Sequence, residues 1–363
     1  MSADESTLLE FEYDALPVRA VFGLGSADHR FAGVVDDLDA RRVLVIVSAP
    51  EEPLARRLVA PFSDRVAGVF TGVRPHVPID VAEAARAAVA RSGADALISI
   101  GGGSTTGTAK AVALTTGLPI VAVPTTYAGS EVTPVWGLTE AGRKTTGTDR
   151  RVLPRVVLYD PALTATLPAA LSAVSGLNAV AHCVEAFWAP RANPVTSLMA
   201  EEGLRALAAG LPGVVREPGD LEARSVVLYG AWLAGTAFAA AGSGLHHTIC
   251  HVLGGAYDLP HAQTHAVVLP HVMALVAPSL PGVDARVAAA LGAPGTPAAD
   301  ALHALARRLG APTALRDIGL PEDDLAAAAR LVVEQVPDRS PADIEALLSA
   351  AWRGELLAVV DHG

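Results

Sequence analysis

The stretch Ala96-Leu-Ile-Ser-Ile-Gly-Gly-Gly-Ser-Thr-Thr-Gly-Thr-Ala-Lys110 decides the fold. It begins as a short apolar run, turns through three glycines and a serine, and continues from Thr105 as a helix candidate. Glycine lets a backbone approach a ligand closely, and the start of a helix offers free N–H groups that suit a phosphate. The stretch therefore predicts a strand, a tight turn and a helix, with a candidate phosphate site at the turn.

Similar apolar runs, rich in Val and Ile and bounded by Gly, Pro or Asp, recur through the first 160 residues. Such runs are typical of buried parallel strands. Segments with helical spacing, such as Val81–Ser92, separate them. The alternation predicts an α/β domain with an open parallel sheet and helices on both sides. The runs are Val43–Val47, Val66–Phe70, Ala96–Ile100, Ile120–Val123 and Val156–Tyr159.

The pattern changes after Asp160-Pro161. The rest of the chain is rich in Ala and Leu at helical spacing, for example in Asn193–Ala209, Arg224–Ala240 and Pro297–Leu309. A length of 363 residues favours two domains. We predict an α/β domain over residues 1–160, an all-helical domain over residues 161–363, and a ligand site in the cleft between them.

The composition excludes several functions. Lys and Arg total 27 against 38 Asp and Glu, so the net charge is −11, and an acidic chain without a basic run is a poor candidate for nucleic-acid binding. The two cysteines, Cys183 and Cys250, make no disulfide framework, and the acidic first residues lack a signal pattern. No apolar run is long enough for a membrane helix. We expect a cytoplasmic protein with no membrane or nucleic-acid partner.

Two further loops contain glycine and hydroxyl side chains. Pro124-Thr-Thr-Tyr-Ala-Gly-Ser-Glu131 follows a predicted strand and can line a cofactor pocket, although a simple loop with a helix cap at Ser130 fits as well. Gly23-Leu-Gly-Ser26 fits a plain hairpin or the entry to a helix.

Histidines cluster in the second half of the chain. His247 and His251 are four residues apart and share a face of a helix, as do Asn178 and His182. Two helices can therefore point polar pairs into one cleft, for metal binding or for proton transfer. Asn178 is a neutral amide, which is a poor ligand for a first-row metal. The clustered histidines are His246, His247, His251, His261, His265 and His271.

Together these motifs resemble the iron-containing alcohol dehydrogenase superfamily over nearly the whole chain. The most specific is a histidine, a second four residues on, and a third fourteen after the first. The resemblance implies an N-terminal dinucleotide-binding domain, a C-terminal helical domain, a site between them and a homodimer. The motifs are Phe22–Ser26, Gly101–Ser104, Pro124–Glu131, and Gly244–Gly255 followed by Leu259–His261.

Most members of that superfamily place a metal on an Asp and three His, at the positions of Asn178, His182, His247 and His261. The chain departs at Asn178, and it has Gly107 where many members have an Asp. Both departures are similar to the maleylacetate reductase branch, in which the resemblance implies a reaction without a metal.

The branch implies NAD(P)H-dependent reduction of the C=C bond of maleylacetate, a small dianionic enone, to 3-oxoadipate. Hydride on the alkene carbon leaves an enolate, which needs hydrogen-bond donors and a proton. A neutral residue at position 178 avoids repelling the dianion. The candidate substrate-binding and proton-donating residues are Asn178, His182, His247, His251 and His261, with Tyr127 as a further donor at the nicotinamide. Spacing alone does not identify the acid.

For the cofactor, the resemblance implies that Gly101, Gly102, Gly103 and Ser104 hold the pyrophosphate, with Thr125, Thr126 and Lys144 nearby. Selectivity for NADH often uses an acidic residue at the end of the second strand. Val43–Val47 is followed by Ser48-Ala-Pro, and Glu51 and Glu52 come late. We therefore expect both NADH and NADPH to serve, with a preference for NADH below about 100-fold.

Alternative functions remain open. One is a metal-dependent alcohol dehydrogenase that uses three histidines and water. Another is a lyase similar to dehydroquinate synthase, which cycles its NAD. A third is reduction of a related unsaturated oxo-acid at the same site, and a fourth is a binding protein that keeps the fold without catalysis.

Overall fold

The apolar runs form a six-stranded, fully parallel sheet in a computed structural model that describes residues 9–140 and 143–356. The strand order is β1-β8-β5-β4-β2-β3, and β6 and β7 form a separate antiparallel hairpin. The strands are β1 Arg19–Phe22, β2 Val43–Val47, β3 Val66–Phe70, β4 Ala96–Gly101, β5 Ile120–Pro124, β6 Val135–Glu140, β7 Arg143–Thr148 and β8 Val156–Tyr159.

Helices cover both faces of the sheet and make up most of the chain after β8. The α-helices are α1 Ser26–His29, α2 Phe31–Asp37, α3 Glu52–Val59, α4 Ile79–Ser92, α5 Gly103–Thr116, α6 Pro161–Thr164, α7 Ala169–Ala186, α8 Pro194–Arg216, α9 Leu221–Ala241, α10 Leu245–Tyr257, α11 His261–Val276, α12 Pro281–Ala290, α13 Ala298–Arg308, α14 Leu325–Gln335 and α15 Pro341–Arg353. Short 3₁₀ turns occupy Ala49–Glu51, Ala60–Arg65, Ser130–Val132, Arg150–Val152, Ala277–Ser279, Leu315–Ile318 and Glu322–Asp324.

The predicted fold class is confirmed. All five predicted strands form, three of them with the predicted bounds, and β4 and β5 each extend by one residue to Gly101 and Pro124. The sequence analysis missed β1 and the β6–β7 hairpin. β1 is a four-residue edge strand with one buried side chain, Val21, and the hairpin is only partly buried, so neither carries a strong apolar pattern.

The central strands are buried because helices pack on both faces of the sheet. Every residue of β2, β4, β5 and β8 is buried. Phe31 and Leu58 pack on one face, and Val89 and Val112 pack on the other. The carboxyl ends of the parallel strands therefore meet at one edge, where the glycine turn and the loop after β5 lie side by side.

The helical half is built around α7, α8 and α9. Asn193 caps α8 through a capping box with Thr196, and Pro194 occupies the first helical position. Gly203 allows α8 to approach α9 closely, because a Cβ there would lie 3.2 Å from the carbonyl oxygen of Gly230. Within the described residues, no single helix is long and apolar enough to cross a membrane. Helices α9 and α10 together have the length and composition of a membrane span, but the pair is bent by 99° at the break between them.

The hairpin holds a strained loop against the domain edge. Thr139 on β6 pairs with Lys144 on β7, and Thr139 also donates hydrogen bonds from its hydroxyl to the carbonyl of His76 (2.7 Å) and from its N–H to that of Val77 (3.1 Å). His76 and Val77 have φ values of 62° and 50°, a conformation that is costly for a β-branched residue.

Candidate active site

The nucleotide turn begins where β4 ends. Gly101 has φ +148°, and a Cβ there would lie 2.5 Å from Thr105 Oγ1 and 2.9 Å from Glu51 Oε2. A Cβ on Gly102 would lie 2.9 Å from Thr126 Cγ2. Only glycine therefore allows this tight passage from strand to helix. Helix α5 starts at Gly103, and both Gly103 and Ser104 line the cleft, where they fit a pyrophosphate at a helix N-terminus.

Gly107 lies one turn into α5 and also lines the cleft. A Cβ there would lie 2.8 Å from Val77 Cγ2. The strained loop therefore occupies the space that an Asp at position 107 would need, and this contact is the physical reason for a glycine at this position.

Glu51 lies closer to the nucleotide turn than its position in the sequence suggests. Its carboxylate accepts hydrogen bonds from Thr125 Oγ1 (2.8 Å) and Ser48 Oγ (2.6 Å). The 3₁₀ turn Ala49–Glu51 carries the carboxylate back to the end of β4, beside Gly101. The expected use of both NADH and NADPH stays a prediction. It rests on the absence of an acidic residue at the end of the second strand, whereas the structure places the Glu51 carboxylate at this edge of the sheet.

Tyr127 does not reach the cleft, which corrects the expectation that it acts as a donor there. Its side chain is fully buried, and its hydroxyl accepts a hydrogen bond from Arg224 Nη1 (3.1 Å) and lies 3.5 Å from Thr164 Oγ1. The tyrosine anchors the loop after β5 to α6 and α9. Its neighbours Ala128, Gly129 and Ser130 line the cleft instead, with Gly129, not Ser130, capping the 3₁₀ turn.

A buried lysine holds the next part of this loop. Lys110 Nζ donates hydrogen bonds to the carbonyls of Ser130 (2.6 Å), Thr133 (2.8 Å) and Val135 (2.8 Å). Burial lowers the pKa of Lys110 to about 7, although Glu131 nearby opposes the shift. Lys110 therefore fixes the wall of the cleft that leads into β6.

The cleft between the sheet edge and the helices encloses about 660 Å³. Its wall contains the nucleotide turn, the hairpin, and side chains from α7, α9 and α10. Among the described residues that line it, none is acidic, and two carry basic side chains, Lys144 and Arg191. For a chain of net charge −11, this distribution marks a site that favours an anion.

The structure brings the predicted polar residues of the helical half together. Asn178 and His182 project from α7, and His247 and His251 from α10, while His261 is the first residue of α11. The rings of His182 and His247 stack at 5.2 Å between centroids, and those of His251 and His261 at 5.9 Å. All five line the cleft.

Glu185 is the functional residue that the sequence analysis missed. It lies on the same face of α7 as Asn178 and His182, at i+7 and i+3, and this spacing is the signal that could have revealed it. Its carboxylate accepts hydrogen bonds from His247 Nδ1 and from the backbone N–H of His246 (2.6 Å). Burial alone would raise the pKa of Glu185, but His247 outweighs it and lowers that pKa to about 2.

The hydrogen bond to Glu185 occupies Nδ1 of His247 and leaves Nε2 without a partner in the described part of the chain. His247 Nε2, Asn178 Oδ1 and His182 Nδ1 are all buried and have no hydrogen-bond partner among the described residues. Burial, with the neighbouring His247, lowers the pKa of His182 well below its ordinary value, so this ring is neutral at pH 7. These three atoms point to a ligand that forms hydrogen bonds.

The donor set contains no free carboxylate. Three imidazoles can bind zinc without one, but the fourth group is an amide oxygen, a weaker ligand than a carboxylate. Glu185, on the same face of α7, is occupied by His247. A second group, His246, Cys250 and His265, has its ligand-type atoms within 4.8 Å of one another under the cleft. There His246 Nε2 and His265 Nδ1 already bond to each other at 2.8 Å.

Two family models match the chain: "Iron-containing alcohol dehydrogenase" over residues 17–161 and "Fe-containing alcohol dehydrogenase family, C-terminal" over residues 172–352. The protein belongs to the iron-containing alcohol dehydrogenase family. Within it, the chain is 48% identical over 352 residues to maleylacetate reductase of Sphingobium indicum, covering 95% of this chain and 98% of that relative.

Two further proteins support the same branch. Maleylacetate reductase 2 of Cupriavidus pinatubonensis is 48% identical, with 97% of this chain and 99% of that protein covered. The solved structure of maleylacetate reductase from Rhizobium sp. strain MTP-10005 superposes with a TM-score of 0.91 at 45% identity, covering 96% of this chain and 100% of that one. The expected resemblance to the maleylacetate reductase branch is confirmed.

Proposed function

We propose that the protein reduces the enone C=C bond of maleylacetate to 3-oxoadipate with NADH or NADPH. The observation that carries the proposal is a cleft whose described lining has no acidic side chain, with Asn178 at the position where most of the family has an Asp. A dianionic substrate meets two basic residues and several neutral imidazoles there. The curated relatives support the same substrate.

The reduced nicotinamide, when bound, supplies a hydride to the alkene carbon β to the ketone. Gly103 and Ser104 at the start of α5 would hold its pyrophosphate, with Gly101 and Gly102 allowing the close approach. The chain must then stabilise an enolate oxygen and protonate the neighbouring carbon.

His247 is the best-placed proton donor. Its Nδ1 is held by Glu185, so Nε2 is the nitrogen that faces the cleft. A proton carried on Nε2 can pass to the substrate carbon, because Glu185 keeps the ring in this orientation through Nδ1. The unpartnered atoms of Asn178 and His182 lie beside it and are placed to orient the substrate oxygen. His251 and His261 complete the wall.

We propose that the reaction needs no metal, because Asn178 stands where a carboxylate would strengthen metal binding, and because hydrogen-bond donors can stabilise an enolate on their own. Purified protein should hold metal far below one ion per chain, and dialysis against a chelator should leave its activity unchanged. Stoichiometric iron or zinc whose removal abolishes activity would instead support the metal-dependent alcohol dehydrogenase. In Asn178→Asp we expect a gain of metal binding, since the substitution restores a carboxylate.

The decisive experiment is NADH oxidation with maleylacetate, run beside a panel of simple aldehydes and ketones. We expect turnover with maleylacetate at least about 100-fold more efficient than with any aldehyde. Steady consumption of NADH argues against a lyase that recycles its cofactor. Faster turnover of another unsaturated oxo-acid would keep the reaction class and change the substrate.

We further propose that the protein is a cytoplasmic homodimer that acts in aromatic-compound catabolism. β1 forms an edge of the sheet, and the segment over residues 9–24, which contains β1, carries exposed apolar side chains, which favours pairing with a second copy. Sedimentation at micromolar concentration tests the dimer. The exposed side chains are Leu9, Phe11, Phe22 and Leu24.

A further inference from the structure

Two cavities meet at the histidine cluster. The cleft described above adjoins a second cavity of about 510 Å³, and His76, Lys144, His251 and His261 line both. Beyond them, the second cavity is bounded by the hairpin and the end of α10, over residues 254–257. Its described lining includes no residue of the nucleotide turn. It therefore extends the site away from the nucleotide turn.

The wall between the cavities is held in place by strained backbone. Thr139 pairs across the hairpin with Lys144 and, through its two hydrogen bonds, fixes His76 and Val77 with positive φ. A strained conformation persists only where the surroundings enforce it, and such strain is concentrated at binding sites. The same short segment thus positions both Lys144 and His76 at the junction.

The charge at this junction lacks a protein counterion. Within the described residues, Lys144 makes no salt bridge and no side-chain hydrogen bond. The Lys144 side chain is exposed to the solvent of the cleft, and desolvation by the surrounding protein lowers its pKa. Asp258, at the end of α10, is the only acidic residue in the described lining of the second cavity. A carboxylate brought by a ligand would supply the missing charge.

We propose that Lys144, with His76 and His251, binds the carboxylate of the substrate arm that is remote from the alkene, and that this arm extends towards the second cavity. This inference rests on the proposed function. The alkene carbon that accepts the hydride must lie against the nicotinamide, and its own carboxylate lies with it. The carboxymethyl arm on the other side of the ketone therefore needs a separate anion site, which this junction provides.

The proposal gives Lys144 a role in substrate binding, beside the expectation that it lies near the cofactor. The experiment compares maleylacetate with 4-oxopent-2-enoate, which keeps the enone and the alkene carboxylate but has a methyl group in place of the carboxymethyl arm. In Lys144→Gln we expect the KM for maleylacetate to rise about 10- to 100-fold, because a hydrogen-bonded charge pair is lost. The KM values for 4-oxopent-2-enoate and NADH should change less than about threefold.

Two variants sharpen the test. Arg205→Gln is the matched control: it removes an exposed basic side chain on α8 that pairs with Glu202 outside both cavities, and it should leave both KM values unchanged. Thr139→Val keeps the side-chain shape and removes the hydroxyl bond to His76. We expect it to raise the KM for maleylacetate without changing kcat, as a positioning residue should.

An equal loss with both substrates in Lys144→Gln, or a rise in the KM for NADH alone, overturns the proposal. So does a loss selective for maleylacetate in Arg205→Gln but not in Lys144→Gln. If the wild-type protein oxidises NADH with neither enone, the proposed function itself fails. Circular dichroism and melting of each variant establish that it folds.

Discussion

The two walls of the cleft recognise their ligands by different means. The nucleotide wall is one continuous stretch, β4 to α5, and acts through backbone N–H groups and the absence of side chains at Gly101 and Gly102. The helical wall gathers side chains from α7, α10 and α11, and its key contact joins Glu185 to His247 across 62 positions. One wall depends on local geometry, and the other depends on tertiary packing.

The contrast teaches where changes should act. Alterations of the nucleotide wall should affect cofactor binding through steric clashes. Alterations of the helical wall should affect the chemical step and the response to pH, because this wall holds the buried titratable groups.

The largest effect should come from the helical wall. In His247→Gln we expect kcat with maleylacetate to fall about 10²- to 10⁴-fold, because the substitution removes the ring that Glu185 holds through Nδ1 and that donates a proton from Nε2. NADH affinity, measured by fluorescence titration, should stay within about threefold if the two walls act separately. His29→Gln, an exposed site in the α/β half, is the matched control. Retention of more than a tenth of the wild-type kcat would exclude His247 as the main donor.

The nucleotide wall should respond to the addition of a single methyl group. In Gly101→Ala we expect the Kd for NADH to rise about 10- to 100-fold, because the new Cβ meets Thr105 and Glu51 in a strained backbone. Gly33→Ala in α2 is the control, since a Cβ there has no atom within 4 Å. Equal NADH affinities in the two variants would contradict a turn that requires glycine.

Acid should destabilise the protein through its buried imidazoles. Burial lowers the pKa of His271 to about 4 and, with His247 nearby, that of His246 to about 3, whereas unfolded histidine titrates near 6.5. Below pH 6.5 the unfolded chain therefore binds more protons, and stability falls as the pH falls. Calorimetry should show Tm dropping by about 10 °C or more between pH 7 and 5.

The control for this pH dependence is His271→Leu, which removes a ring whose two nitrogens have no partner among the described residues. It should flatten the fall of Tm with acid, whereas His29→Leu should not. A Tm that stays constant from pH 7 to 5 would mean that these rings are protonated within the folded state.

The smallest effect should concern the choice of cofactor. In Glu51→Gln we expect the ratio of kcat/KM for NADPH over NADH to rise about three- to tenfold, because a negative charge beside the turn is removed. The wild-type preference should itself stay below about 100-fold. Identical ratios in the two proteins would show that Glu51 only braces Ser48 and Thr125.

Local patterns were readable from the sequence, and long-range partners were not. The strand predicted over Ala96–Ile100 and the i, i+4 pair of Asn178 and His182 follow directly from spacing, and both are found, the strand one residue longer. The direction of Tyr127 depends on its burial against Arg224, an interaction that no spacing reveals. Glu51 is brought to the turn by a short 3₁₀ segment for the same kind of reason. The division into two domains after residue 160 stays a prediction.

The contact between Gly107 and Val77 makes these two positions epistatic. Because a Cβ at position 107 would meet Val77 at 2.8 Å, a larger residue there is admissible only after the loop before α4 has changed. We therefore expect that a path which introduces an Asp at position 107 first needs a smaller or displaced side chain at position 77. A change at position 77 would disturb the hydrogen bonds between this loop and Thr139. The hairpin and Lys144 would therefore be affected before a new side chain at position 107 reached the cofactor.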